Sequence, residues 1–241
     1  MGGAPLSREP QSFQAWLLGW VKSIAAALAI WIFLRSYVIE AFRIPSGSME
    51  NTLLVGDFLF VNKAVYGGQL ELPLTSVRLL RFPGYANPER GSIVVFRSVE
   101  DSTPNLDIVK RVIGVSGDTL QMIGDTLIRN GHRIDEPYAL HLGQSDSDQV
   151  FRLQQFREWQ LMRYIGRSPD KYHPTRHDWG PFVVPRDSFF VMGDNRDESY
   201  DSRYWGFLPR SHVVGQPLFI YMSVAGDPFR IRWNRLLKHP S

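Results

Sequence analysis

A mainly β, antiparallel protein with a barrel-like core, preceded by one apolar helix, is expected from three features of this 241-residue chain. From residue 41 onward, short apolar runs recur between Gly, Pro, Asn and Asp, the texture of strands separated by turns. Asn130-Gly131 stands between Thr126–Arg129 and His132–Ile134, and both residues tolerate the positive φ of a type I′ turn, so a hairpin is expected there. Phe13 to Ile39 is the most apolar stretch, and it lies at the start. The expected division is a tail and membrane anchor over 1–40 and a β domain over 41–241. A polar insertion of a short helix plus loops interrupts that domain over about 136–181.

Residues 1–10 hold Gly2, Gly3, Pro5 and Pro10 and read as a loose start. In the apolar stretch, Lys22 and Arg35 set up two registers: Gln11–Leu34, with Lys22 near mid-depth, or Ser23–Ile39, with Arg35 near one end. A charge at the bilayer centre costs at least ~2.5 kcal/mol, whereas a terminal arginine snorkels, so the second is preferred. A cleaved signal peptide and a helix lying in the interface are the alternatives to a retained anchor. Charge does not set the orientation, because Arg8 and Lys22 precede the span while Arg35 and Arg43 end or follow it. Strands are expected at Phe58–Val61, Ser92–Phe96, Asp107–Ile113, Ser188–Met192 and Val213–Val224. Within the insertion, Gly143–Asp148 reads as a loop. Gln149–Ile165 reads as a helix whose Val150, Leu153, Phe156 and Trp159 serve packing.

Composition narrows the function classes. With 44% hydrophobic and 13% aromatic residues, the chain can bury a real core. A net charge of +3, spread apart from a mild cluster over Arg152–Arg176, gives no nucleic-acid footprint. Without cysteine there is no disulfide, thiolate metal site or cysteine nucleophile. His173 and His177 have helical ligand spacing, but Pro174 follows and no third ligand is offered, so no metal and no cofactor are expected.

One lysine carries the chemical argument. Lys110 lies inside the apolar run Asp107–Gly114, where low-dielectric surroundings disfavour the ammonium and bring the pKa toward working pH. Arg111, its neighbour, is expected to remain outside. A serine nucleophile needs such a base, and none of the six histidines stands in a motif that would supply one. Ser48, between Gly47 and Met49 after the Pro45 bend, can present a hydroxyl and its own N–H to a substrate carbonyl. Ser46 can add a second donor for the oxyanion. Fourteen residues separate Leu34 from Ser48, so at about 3.3 Å per residue the nucleophile stays near the membrane. Phe42, Ile44, Met49 and Leu53 then either touch lipid or line the groove and core.

Pro45-Ser46-Gly47-Ser48-Met49, Gly56–Lys63, Asp107–Gly114, the string Gly193-Asp194-Asn195-Arg196-Asp197-Glu198-Ser199-Tyr200-Asp201-Ser202-Arg203 and the following Tyr204–Pro209 resemble, in order, the sequence boxes of the bacterial type I signal peptidases. The resemblance implies an antiparallel β endopeptidase working by a Ser/Lys dyad, with Ser48 as nucleophile and Lys110 as general base. Ser46 and the Ser48 N–H would form the oxyanion hole, and Ser199 would orient the lysine amine. Asp201 and Arg203 would form a supporting ion pair, with Asp194 on the same shelf. The implied substrates are exported preproteins cut after small residues at the first and third positions before the scissile bond. The implied setting is the bacterial cytoplasmic (inner) membrane, single-pass, with the catalytic domain on the extracytoplasmic side, against lipid and near the secretion translocon. A specialised processing peptidase with few substrates and an inactive binder of signal segments are the other readings, and the joint presence of Ser48, Lys110 and Ser199 argues against the second. Two positions depart from the family pattern: Asn51 replaces a frequent proline, and Ser92 a frequent acidic residue.

Overall fold

A computed structural model describes residues 12–71, 78–104, 106–142, 150–226 and 228–241. The expected loop Gly143–Asp148 lies outside the described residues. In chain order the strands are β1 (Ile39–Arg43), β2 (Asp57–Asn62), β3 (Gln69–Glu71), β4 (Arg78–Arg81), β5 (Ile93–Arg97), β6 (Asp107–Gly114), β7 (Thr119–Ile123), β8 (Thr126–Arg129), β9 (His132–Arg133), β10 (Trp179–Val183), β11 (Ser188–Met192), β12 (Leu208–Pro209), β13 (Val213–Ala225) and β14 (Arg230–Ile231). The α-helices are α1 (Phe13–Phe33), α2 (Val150–Arg163) and α3 (Ser202–Trp205).

The main sheet runs β1-β2-β13-β5-β6-β11-β12, with β14 added to β13, and every pairing in it is antiparallel. Its curl stays open, with β1 and β12 at the two ends of the path. The long β13 joins the halves. Val213 and Gly215 pair with β5, and Gln216–Ser223 pair with β2. One strand therefore holds the β1–β2 hairpin, whose connection carries Ser48, in register with the β5–β6 hairpin that carries Lys110. A second sheet, β10-β7-β8-β9, contains the expected hairpin, and Asn130 and Gly131 take φ of 53° and 79° as a type I′ turn requires.

Apolar side chains fill both faces of the central strands. Ile93 and Val95 belong to a core with Ile44, Met49, Leu53 and Leu59, whereas Val94 and Phe96 belong to another with Val112, Val191 and Leu208. Of the four residues expected either at lipid or in the core, Ile44, Met49 and Leu53 are thus core, and Phe42 packs partly buried against them. A third core gathers Trp179, Phe182 and Phe190 with Phe156 of α2, and Trp159 packs on it. The side chains of Val150 and Leu153 lie outside the described ones. The polar texture expected over 136–181 ends in a strand, since Trp179 begins β10 and pairs with Met122 of β7.

The anchor register differs from the preferred one. Helix α1 begins at Phe13, where the Ser12 hydroxyl accepts the Ala15 N–H at 3.3 Å, and its regular turns end at Phe33. A wide turn over Leu34–Val38 follows, and Ile39 leaves the helix because its backbone pairs with Asn62. Ser23–Ile39 is therefore not the helical unit, and Lys22 lies near the middle of α1. Its aliphatic stem can run along the apolar helix surface and lift the ammonium toward water. At about 1.5 Å per residue, 21 residues reach about 32 Å, enough to cross a bilayer core of about 30 Å. None of its side chains is buried by the protein, as a lipid-facing helix requires.

Candidate active site

Ser48 sits on a single 3₁₀ turn, Gly47–Met49, entered from extended Ser46. Met49 fixes this turn from below, being 1% exposed in the core, and Met49 O accepts the N–H groups of Thr52 and Leu53. Lys110 lies in mid-β6 opposite Val94 and is 3% exposed. Its Nζ makes a hydrogen bond with Ser48 Oγ across 62 residues of sequence. Burial pulls its pKa from an ordinary 10.5 down to about 8. The Asp201 and Asp194 charges pull it up, and Arg203 pushes it further down. Among the described residues, no carboxylate comes within ion-pair distance of this amine.

The loop after β11 supplies the floor. Asp201 Oδ2 accepts the Gly193 N–H at 3.0 Å, and Arg203 Nε and Nη2 bond Asp201 Oδ1 and Oδ2 at 2.9 and 3.0 Å. Burial works against the Asp201 carboxylate, but the Arg203 guanidinium outweighs it and holds its pKa below the usual carboxylate value. Gly193 lies so close to the nucleophile turn that a Cβ there would come within 2.3 Å of both Ser48 O and Ser199 Oγ, so a side chain has no room. The Asn195 N–H reaches Ser48 O at 3.2 Å, and Asn195 Nδ2 reaches Gly47 O at 3.3 Å. The Ser199 hydroxyl is buried near enough to Asp201 to help lower that carboxylate's pKa, yet among the described residues it has no partner at hydrogen-bonding geometry. Ser46 is exposed at the mouth.

All the residues singled out, Ser46, Ser48, Lys110, Asp194, Ser199, Asp201 and Arg203, thus fall on the β1–β2 connection, β6 and the segment after β11. The expectation for Arg111 is overturned. It is 3% exposed, and its Nε and Nη2 fork onto Asp194 Oδ1 and Oδ2 at 2.8 and 2.7 Å. Both faces of β6 are covered at this end, so a residue beside the inward Lys110 has no outside to reach. Thr52, Glu136, Tyr138 and Arg196 also belong to the network and were not singled out. For Arg111 the partial signal is a guanidinium inside an apolar run, a group buried only when paired, but its partner Asp194 is 83 residues away and no local pattern names it. Ser168-Pro169-Asp170-Lys171 is a second place where a serine stands close to a lysine in sequence, but Ser168 only precedes the 3₁₀ turn Pro169–Lys171, and that turn holds no buried residue. Among the described residues no cluster of His, Cys, Asp and Glu suits a metal ion.

A buried lysine amine beside a buried serine hydroxyl in an antiparallel sheet, in a chain that also holds a helix long and apolar enough to cross a membrane, is an arrangement suited to serine-class hydrolysis. The chain belongs to the family described as signal peptidase, peptidase S26, which it matches over residues 17–222. It is 34% identical to signal peptidase I of Pseudomonas fluorescens over 90% of this chain and 75% of that protein. It is likewise 34% identical to signal peptidase I of Aquifex aeolicus (strain VF5), over 80% and 79%. A crystal structure of a signal peptidase I from Enterococcus faecalis V583 aligns with 54% of this chain and 96% of its own at 27% identity and a TM-score of 0.36.

Proposed function

We propose that this peptidase removes N-terminal signal peptides from exported preproteins through an acyl-enzyme formed on Ser48, with Lys110 as the base. The observation that carries the reading is the contact between a buried lysine amine and a buried serine hydroxyl. Neutral Lys110 takes the Ser48 proton as Oγ attacks the scissile carbonyl. The ammonium then protonates the departing amine, and the amine next activates the water that cleaves the ester. In this reading the hydroxyl of Ser46, the exposed residue that leads into the turn, and the Ser48 N–H on the turn receive the carbonyl oxygen as it gains charge. Ser199, whose buried hydroxyl lies beside Gly193 and Asp201, is the group that steadies the protonated amine, and Asp201, Arg203 and Asp194 hold the floor in place.

The reading includes a preference for small residues at the first and third positions before the cut, which shallow apolar subsites would select. In this reading α1, long and apolar enough to cross a bilayer, anchors the β domain in the bacterial inner membrane with the active site on the extracytoplasmic side, near the translocon and against lipid. The test is cleavage of several unrelated preproteins in detergent by wild type, Ser48→Ala and Lys110→Ala between pH 5 and 10. Loss in both variants and a wild-type rise centred near pH 8 support the reading; retained cleavage in either variant defeats it.

A further inference from the structure

We propose that Tyr138 is a positioning residue for the peptidase reaction, strapping the turn that carries Ser48 to the strand that carries Lys110. The proposal rests on the reading of that serine and lysine as the reacting pair. Tyr138 stands where the polar insertion begins, in a segment with no helix or strand of its own. Its main chain and side chain nevertheless contact residues next to each part of the site. The Tyr138 carbonyl accepts Asn51 Nδ2 at 3.1 Å, three residues beyond the nucleophile. Its ring lies 4.0 Å from the guanidinium carbon of Arg111, the residue beside Lys110. Its hydroxyl donates to Glu136 Oε1 at 3.0 Å, and that carboxylate forks onto Arg196 Nη1 and Nη2 at 2.8 and 2.9 Å. Arg196 Nε then donates to Gly193 O at 3.1 Å, the glycine wedged against Ser48 and Ser199.

The surroundings leave this segment little freedom. The Leu140 N–H donates to Asp194 O at 2.7 Å, and the Arg196 N–H donates to Leu140 O at 2.9 Å, so the strap runs beside the floor loop. Asp194 in turn accepts the Thr52 hydroxyl at 2.5 Å on the same oxygen that Arg111 reaches. A flat aromatic face above a guanidinium already forked onto a carboxylate fixes the plane of that fork, which an aliphatic side chain of similar size cannot do. Burial and the Glu136 charge hold the phenol well above an ordinary tyrosine, so its proton stays available to Glu136. Asn51 has a φ of 90°, a left-handed conformation that its amide–carbonyl bond to Tyr138 helps to hold. The nucleophile turn is thereby tied to the insertion at a residue whose backbone alone would not keep that shape. Small errors in the placement of reacting groups are amplified in the rate, so loosening the strap should act on turnover more than on binding.

The experiment measures kcat and KM per folded molecule, with melting curves, on an Ala-x-Ala peptide cut by the full chain in detergent. Tyr138→Leu, Tyr138→Phe and Asn51→Gly are compared with wild type, with Ser48→Ala and Lys110→Ala alongside. Tyr138→Leu should lower kcat about 10-fold with KM within about twofold, while Tyr138→Phe, which keeps the ring, should lose only about threefold. Asn51→Gly accepts the positive φ but lacks the amide, so a drop of about threefold in kcat reports the lost strap and not backbone strain. Leu and Gly variants within twofold of wild-type kcat, or a Phe variant as slow as Leu, overturn the proposal. Should Tyr138→Leu fail to fold, wild-type kcat in both Tyr138→Phe and Asn51→Gly overturns it instead. Cleavage retained by Ser48→Ala or Lys110→Ala would refute the Ser/Lys reading itself, a result separate from these.

Discussion

Two lysines among the described residues are buried, one in the main sheet and one just beyond its strand β2, and their partners differ in kind. Lys63, directly after β2, is 6% exposed and holds the Glu40 carboxylate at 3.1 Å. Lys110, in β6, is 3% exposed and meets a serine hydroxyl instead, with the nearest acidic charges engaged by Arg111 and Arg203. Burial is common to both, so burial alone does not distinguish them. What sets Lys110 apart is that its two neighbouring carboxylates are each neutralised by a forked guanidinium, which leaves desolvation as the largest influence on the amine. The arginines that look like structural ballast are thereby part of the reason a lysine can lose its proton near neutral pH.

The largest effect that tests this contrast is on activity. Lys110→Met should lower kcat/KM by on the order of 10⁴-fold, as should Ser48→Ala, because residues that act as one unit fail together. In wild type, kcat/KM should rise with pH through a midpoint near 8, since only the neutral amine accepts the serine proton. A midpoint near 6 that survives in Lys110→Met would hand the role to a histidine and dissolve the contrast.

Next in size is the loss of a neutralising guanidinium. Arg203→Met leaves Asp201 buried with the Gly193 N–H as its main support, and breaking such a pair costs about 3–5 kcal/mol. The sign with pH follows from the carboxylate. Arg203 holds the folded-state pKa of Asp201 below the unfolded value, so the stability it lends is present above about pH 4 and fades as the pH falls below that. Urea melts of wild type and Arg203→Met should therefore converge toward acid pH, and equal separation at pH 3 and pH 7 would show that the guanidinium acts through packing alone.

Much of this site is legible in the sequence, and the limits are physical. A serine turn or a lysine in a strand is ordinary by itself, and Ser48 and Lys110 stand out only because they occur together with the string Gly193–Arg203, whereas the hairpin at Asn130-Gly131 follows from local φ requirements. The inward turn of Arg111 is hidden because alternation sorts inside from outside only when one face of a strand meets water, and Val112 and Ile113 are both buried. Glu136 and Tyr138 are hidden because their partners lie 60 and 27 residues away, at Arg196 and Arg111, and no local periodicity encodes such contacts. The end of α1 escapes for a similar reason. Ile39 is apolar enough for a helix, and only its pairing with Asn62 makes it a strand.

A third effect separates chemistry from stability in one residue. A lysine whose folded-state pKa lies near 8 instead of 10.5 weakens the fold by about 3 kcal/mol while it is charged, because each tenfold loss of proton affinity is worth about 1.4 kcal/mol. Lys110→Met should therefore stabilise the protein at pH 7 by up to about 3 kcal/mol while abolishing cleavage. As the pH rises from 8 toward 10.5, wild type sheds the penalty and the two melting curves should approach each other. A destabilised methionine variant at pH 7 would mean that the amine is held by attractions stronger than its desolvation.

The smallest effect comes from the other lysine. Glu40→Gln removes the charge facing Lys63 but keeps a hydrogen-bond acceptor, and the Glu40 side chain is one-third exposed, so water softens the loss to about 1 kcal/mol. For a chain of this size that is a melting shift of about 2–4 °C. Cleavage per folded molecule and its pH midpoint should stay at wild-type values, because Glu40 is not among the charges that act on Lys110. Lys63 joins β2 to the end of the anchor, where its N–H also donates to Val38 O at 3.0 Å. A displaced pH midpoint in Glu40→Gln would show that the anchor junction feels the protonation of Lys110, and the two lysines would then have to be treated as one coupled system.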